Sequence, residues 1–279
     1  MATIHRFTVG DITCIALEEG TSTFAPDSLG QRYPNATEDQ IQDALDKIGF
    51  DGGELRHAMN TLYIEADGKK ILIDTGMGTI PERPNVGQTV PSLSLAGITP
   101  EEIDIVFITH FHGDHYLGLL TDGEPTYPNA QYMTLDTEWA YWLENDDEAM
   151  AQRIEGIKKV VEPLKDQFST LSAGNEIATG VSVMAIAGHT MGQSAIKIES
   201  GDEMVVHLVD LLHNETQFAY PDWHFVWDTD VDLAVQSRKA QLGNAVNRHL
   251  LVMFYHLPFP GLGHVERTDS GFKWLPIAD

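Results

Sequence analysis

A six-residue run, His110-Phe111-His112-Gly113-Asp114-His115, constrains this chain more than any other feature. With Thr109 between them, it follows residues 103–108, an apolar stretch that reads as a buried strand. In extended backbone, side chains two apart share a face, so His110 and His112 point the same way. Gly113 then permits a sharp change of direction, which lets Asp114 and His115 face the same cavity from another angle. Four ligand-type side chains in six residues are too many for one tetrahedral ion once distant ligands join them. The spacing suits two adjacent ions, each taking two of the four. In a chain with 12 His among 279 residues, chance places such a pattern below roughly 0.004 times.

Composition narrows what that metal site can serve. Cys14 is the only cysteine, so no intrachain disulfide or thiolate cluster forms and the donors must be His and carboxylates. The formal net charge of -25 repels phosphate backbones, which argues against nucleic acid as a partner. No apolar run approaches the roughly 18 residues of a membrane helix, and residues 1–7 carry no signal-peptide pattern. A cytoplasmic location with no membrane partner is therefore expected.

Residues 3–8 and 11–18 read as strands joined at Gly10-Asp11, and 20–36 as a Gly/Ser/Thr/Pro-rich loop. Thr37-Glu38-Asp39-Gln40 is a capping box, followed by Ile41, Ala44, Leu45 and Ile48 at helical spacing and Gly49 as the stop. Residues 60–66 and 69–74 form a hairpin across Asp67-Gly68. Helices are expected over 136–143, 148–161 and from Asp230 to about Asn247, and strands over 181–187, 194–198, 203–209 and 250–255. No linker or short repeat interrupts the chain. The order predicts one domain over 1–279, with two sheets packed face to face and helices outside.

The histidine run resembles the signature of the metallo-β-lactamase-fold hydrolases. Asp74 after Ile71-Leu72-Ile73, His189 in Gly188-His189-Thr190-Met191-Gly192, Asp210 after His207-Leu208-Val209 and His256 after Met253-Phe254-Tyr255 match the family's other motifs in order. The resemblance implies an α+β fold, a four-layer αββα sandwich. It implies His110, His112 and His189 on a first ion, Asp114, His115 and His256 on a second, and Asp210 bridging them. Asp114 and Asp210 would also orient the nucleophile, and Asp74 would orient a ligand histidine. Zn²⁺ suits this donor set, and Mn²⁺, Fe²⁺ or Co²⁺ could occupy it.

A bridging Asp210 counts against antibiotic hydrolysis. The segments 210–230, 256–264 and 271–276 resemble the branch of methyl parathion hydrolase and its lactonase and arylesterase relatives. The expected activity is hydrolysis of a small apolar ester, a lactone or aryl ester, by a hydroxide shared between two ions. The alternatives are a phosphotriester hydrolase, a thioester hydrolase of the glyoxalase II type and a metal-bound sensing module. Trp223, Phe225 and Trp227 alternate, so an extended stretch would present one aromatic face, either to substrate or to core and dimer packing. His213, three residues past Asp210, would contact substrate or serve the fold. Residues 20–57 would cover the pocket or pair two copies in a homodimer.

Overall fold

The computed structural model describes residues 2–278; Met1 and Asp279 lie outside the described residues. The first half of the chain builds one seven-stranded sheet. It contains β1 (Ile4–Val9), β2 (Ile12–Phe24), β3 (Leu55–Ala66), β4 (Lys69–Ile73) and β5 (Ile105–Phe107). A separate two-stranded hairpin, β6 (Leu120–Thr121) and β7 (Glu124–Pro125), precedes β8 (Gln131–Leu135) and β9 (Phe168–Leu171), which complete the sheet in the order β1-β2-β3-β4-β5-β8-β9. The second half builds another, with neighbours in chain order: β10 (Glu176–Ala178), β11 (Val181–Ala185), β12 (Ser194–Ser200), β13 (Glu203–His207), β14 (Leu251–Met253), β15 (Leu262–Arg267) and β16 (Phe272–Pro276).

Alternation along the strands sets the layers. Leu62, Ile64, Ile71, Ile73, Ile105 and Phe107 face Val183, Ile196, Ile198 and Val205 across the space between the sheets. Their neighbours Tyr63, Leu72 and Val106 face outward against helices. Those helices belong to a set numbered in chain order: α1 (Leu29–Arg32), α2 (Glu38–Lys47), α3 (Thr89–Ala96), α4 (Gly113–Tyr116), α5 (Asp136–Leu143), α6 (Ala151–Val161) and α7 (Val231–Arg248). Leu93 of α3, Trp142 of α5 and Ile154, Ile157 and Val161 of α6 cover the first sheet. Leu242 and Ala245 of α7 cover the second. The result is the expected four-layer αββα sandwich. Among the described residues no helix is long and apolar enough to cross a membrane.

The segment 20–36 departs from its reading as a loop. β2 continues to Phe24 because Thr21, Ser22 and Thr23 pair with Ala58, His57 and Arg56 of β3, and a β-branched Thr suits extended backbone. A 3₁₀ turn and α1 follow before the Thr37 capping box starts α2 as expected. In each half an antiparallel array turns parallel where a helix-bearing crossover joins two strands, β4 to β5 and β13 to β14. The carboxyl ends of those strands lead straight into Asp74, His110, Asp210 and His256.

Candidate metal centre

The other six predicted donors gather around Asp210. Its Oδ2 lies 3.0 Å from His256 Nε2, 3.4 Å from His189 Nε2 and 3.7 Å from His110 Nε2. Its Oδ1 lies 3.2 Å from His115 Nε2. Asp114 completes the second group, 3.5 Å from His256 Nε2 and 3.8 Å from His115 Nε2. His112 turns Nδ1 toward His189 Nε2 at 2.8 Å. Two donor groups result: His110, His112, His189 and Asp210 could hold one ion, and His115, Asp210 and His256, with Asp114 beside them, a second. The backbone bends sharply to bring them together. Asp74 and Val209 both adopt left-handed φ, 60° and 47°; Asp tolerates that region, and strain is expected for the β-branched Val209.

Each imidazole is fixed from behind. His115 Nδ1 donates to Asp74 at 2.8 Å, and His189 Nδ1 donates to Asp228 at 2.9 Å. His256 Nδ1 donates to the Ala58 carbonyl at 2.9 Å. Thr109 Oγ1 donates to Asp74, which leaves it accepting from His110 Nδ1 at 3.2 Å. Four Nε2 lone pairs are thereby aimed at two carboxylates, an arrangement of acceptors facing acceptors. His110 Nε2, His115 Nε2 and Asp210 Oδ1 are buried with no hydrogen-bond partner among the described residues. Such atoms are costly to bury unless a cation lies between them, so the donor set fits divalent metal.

In the absence of an ion, protons compete for the same positions. Burial, aided by the neighbouring His115, holds His110 well below 6.5. Against the cost of burial, Asp210, Asp114 and Asp74 raise His115 well above it, and Asp210 and Asp228 lift His189 to about 9. Burial would raise Asp210, but His256 and His115 outweigh it and hold the carboxyl well below its usual range.

Sequence reasoning missed five residues that support the site. Glu138 of α5 accepts from Phe111 N and Trp142 Nε1 through one oxygen and from Thr190 Oγ1 and Gly192 N through the other, so it joins the two ligand loops. A Cβ at Gly192 would lie 2.1 Å from the Glu138 backbone nitrogen, which explains that glycine. Asp228 is itself held by buried Arg238 at 3.5 Å. Asn60 Nδ2 donates to the Tyr255 and Leu257 carbonyls on either side of His256. His57 stacks on His256 with ring centroids 4.0 Å apart. These are isolated polar residues whose partners are distant in sequence, and no local pattern marks them. Asp228→Asn is expected to weaken Zn²⁺ binding about tenfold or more, since partners of ligand histidines contribute on that scale; titration of apo-protein with Zn²⁺ measures it.

The centre floors a cleft of about 770 Å³. Phe24, Met59, Met77, Phe225, Val226 and Trp227 supply apolar wall, and His57 and His213 face it beside the donors. His213 stacks on Phe225 at 3.8 Å, with Nε2 3.5 Å from Asp210. The expected single aromatic face of Trp223, Phe225 and Trp227 does not form. Residues 223–225 are irregular rather than a strand, and buried Trp223 packs between Tyr33 and Tyr220, away from the cleft.

A family model described as the metallo-beta-lactamase superfamily matches residues 57–249. The chain also superposes on AidC, a dizinc quorum-quenching lactonase in complex with a product, with a TM-score of 0.91 and 25% identity over 100% of this chain and 98% of that one. Hydrolase AbOPH of the beta lactamase superfamily gives a TM-score of 0.88 and 28% identity over 100% and 99%. Ribonuclease Z of Pyrococcus abyssi (strain GE5 / Orsay) is 42% identical over 59 residues, 21% of this chain and 16% of that protein. The match thus spans about a sixth of that curated relative's length. With a matching family model over most of its length and a carboxylate–histidine centre at its strand ends, the chain belongs to the metallo-beta-lactamase superfamily.

Proposed function

We propose that the chain hydrolyses an apolar ester, a lactone or aryl ester, at a centre of two divalent ions. The observation that carries this reading is the convergence of seven donors at the floor of a cleft with extensive apolar wall. Ions held there, zinc first by donor type, would supply a water of lowered pKa and a Lewis acid for the ester carbonyl. The chain's own residues do the rest. Asp210 and Asp114 place negative charge between the imidazoles, and Asp74 and Asp228 keep His115 and His189 in the ligating tautomer. Phe225 and Trp227 exclude water from the bound ester. The chain acts as one hydrolase domain, and residues 20–57 roof its cleft, to which they contribute Phe24, Arg32 and His57. The lactonase activity named for AidC supports the reading.

The local likeness to ribonuclease Z raises RNA as a second substrate class. A net charge of -25 and the apolar walls favour the small ester. A panel of lactones, aryl esters, phosphotriesters, thioesters and RNA separates these readings. Chelator-sensitive turnover is expected to be highest on a lactone or aryl ester. Preference for any other member of the panel, or no turnover at all, would overturn the ester reading.

A further inference from the structure

Glu19 is a fully buried carboxylate inside a strand, where an apolar side chain would be the ordinary occupant. It sits at a β-bulge of β2. Glu18 pairs with Asn60 and Gly20 with Met59 of β3, and Glu19 is the extra residue between them. A bulge re-aims the side chain it carries. This one turns the carboxylate toward residues 77–88, which lead from the Asp74 turn to α3.

Both carboxylate oxygens are taken up at the two ends of that segment. One accepts from Met77 N at 2.9 Å and Gly87 N at 2.8 Å. The other accepts from Thr89 N at 2.9 Å and Thr89 Oγ1 at 2.7 Å. A Cβ at Gly76 would lie 2.3 Å from Glu19 Cδ, so that glycine leaves room for the carboxylate. Farther along the segment, Thr21 N donates to the Asn85 carbonyl at 3.1 Å, and Asn85 Nδ2 donates to the Thr21 carbonyl at 2.5 Å. Burial raises the Glu19 carboxyl, and the four donors act against it. Apolar replacements of buried charges are often as stable or more so, so stability alone does not account for a carboxylate here.

The clamp fixes an edge of the main cleft. Met77 and Arg83 of the segment line that cleft. Val86 packs with Met59 and Tyr255, and Met77 and Ile80 lie against them, while residues 81–85 are exposed. We propose that Glu19 is a positioning residue that holds residues 77–88 as a rim against which the longer arm of an ester lies. The arm rests on the ester reading; the hold of Glu19 on the rim does not. Glu19 acts on the arm through Met77 and the aliphatic stem of Arg83.

The test uses the zinc-loaded protein and two esters that differ only in acyl length, phenyl acetate and phenyl hexanoate. A glutamate-specific protease, with cleavage after Glu82 read by mass spectrometry, reports on the rim itself. Glu19→Gln keeps the shape and removes the charge. It is expected to raise KM for phenyl hexanoate about fivefold or more, the scale on which a hydrogen bond contributes, with KM for phenyl acetate, kcat and zinc content within about twofold of the parent. Cleavage after Glu82 is expected to quicken in the same variant. Asn85→Ala removes an exposed tie of the rim and leaves the core intact, so it decides the matter if Glu19→Gln does not fold; it is expected to move both readouts the same way by less. An equal change in KM for the two esters, a fall in kcat or zinc content, or unchanged cleavage would overturn the positioning role. If the parent protein turns over neither ester, the ester reading falls, and cleavage after Glu82 alone decides whether Glu19 holds the rim.

Discussion

Asp210→Ala is expected to lower kcat/KM by about 10³-fold or more, the scale on which a group acting directly on the reacting centre contributes. The geometry explains why one carboxylate carries so much. Its two oxygens lie within 3.7 Å of the Nε2 atoms of His110, His115, His189 and His256, which belong to both donor groups. Its removal leaves imidazole lone pairs directed at one another with no central negative charge. Affinity for both cations then falls together, where loss of a histidine from one group would weaken mainly one. Asp210→Asn, which keeps the shape and removes the charge, is expected to lose activity and metal in parallel. Measured kcat/KM and metal content decide it, and full activity with full metal in either variant would refute the bridging role.

Removal of metal is expected to lower the melting temperature substantially. Buried acceptors such as His110 Nε2, His115 Nε2 and Asp210 Oδ1 then face one another without a partner. An ion present at about 1,000 times its dissociation constant contributes about 4 kcal/mol. In a chain of this size each kcal/mol moves the melting temperature by about 2 °C, so stripping one such site lowers it by about 8 °C. Chelator treatment followed by Zn²⁺ addition, read by thermal unfolding, is expected to show that loss and its recovery. An unchanged transition would show that the cluster is satisfied without cations.

The donors were legible in the sequence because of where they stand. His110, His112, Asp114 and His115 are dense enough to signal metal on their own. His189, Asp210 and His256 are single residues, but each follows a strand or its turn, and strands announce themselves through alternation such as Leu62, Ile64 and Ala66 against Tyr63. The likeness to the family's motifs, in order along the chain, supplied the signal that residue type lacked, and position after a strand agreed with it. The supporting residues had no such signal. Glu138 acts through partners at 111, 190 and 192, and Arg238 through the carbonyls of Leu211, Pro221 and Trp223, so their roles exist only once the chain is folded. The helix at Thr89–Ala96 escaped notice because Thr-Val-Pro-Ser-Leu-Ser-Leu-Ala combines weak helix formers with a proline, tolerated here in its first turn. Alternation at 223–227 misled for the opposite reason: it has strand period, but residues 223–225 are irregular and Trp223 is drawn into the cluster of Tyr33 and Phe225 beneath α2.

The central claim is that one carboxylate joins two ions into a hydrolytic centre. Metal analysis of the purified protein, paired with turnover of a lactone before and after chelation, tests it most directly. The account predicts two divalent ions per chain and turnover that disappears on chelation and returns with added metal. One ion or none per chain, or turnover that survives chelation, would contradict it.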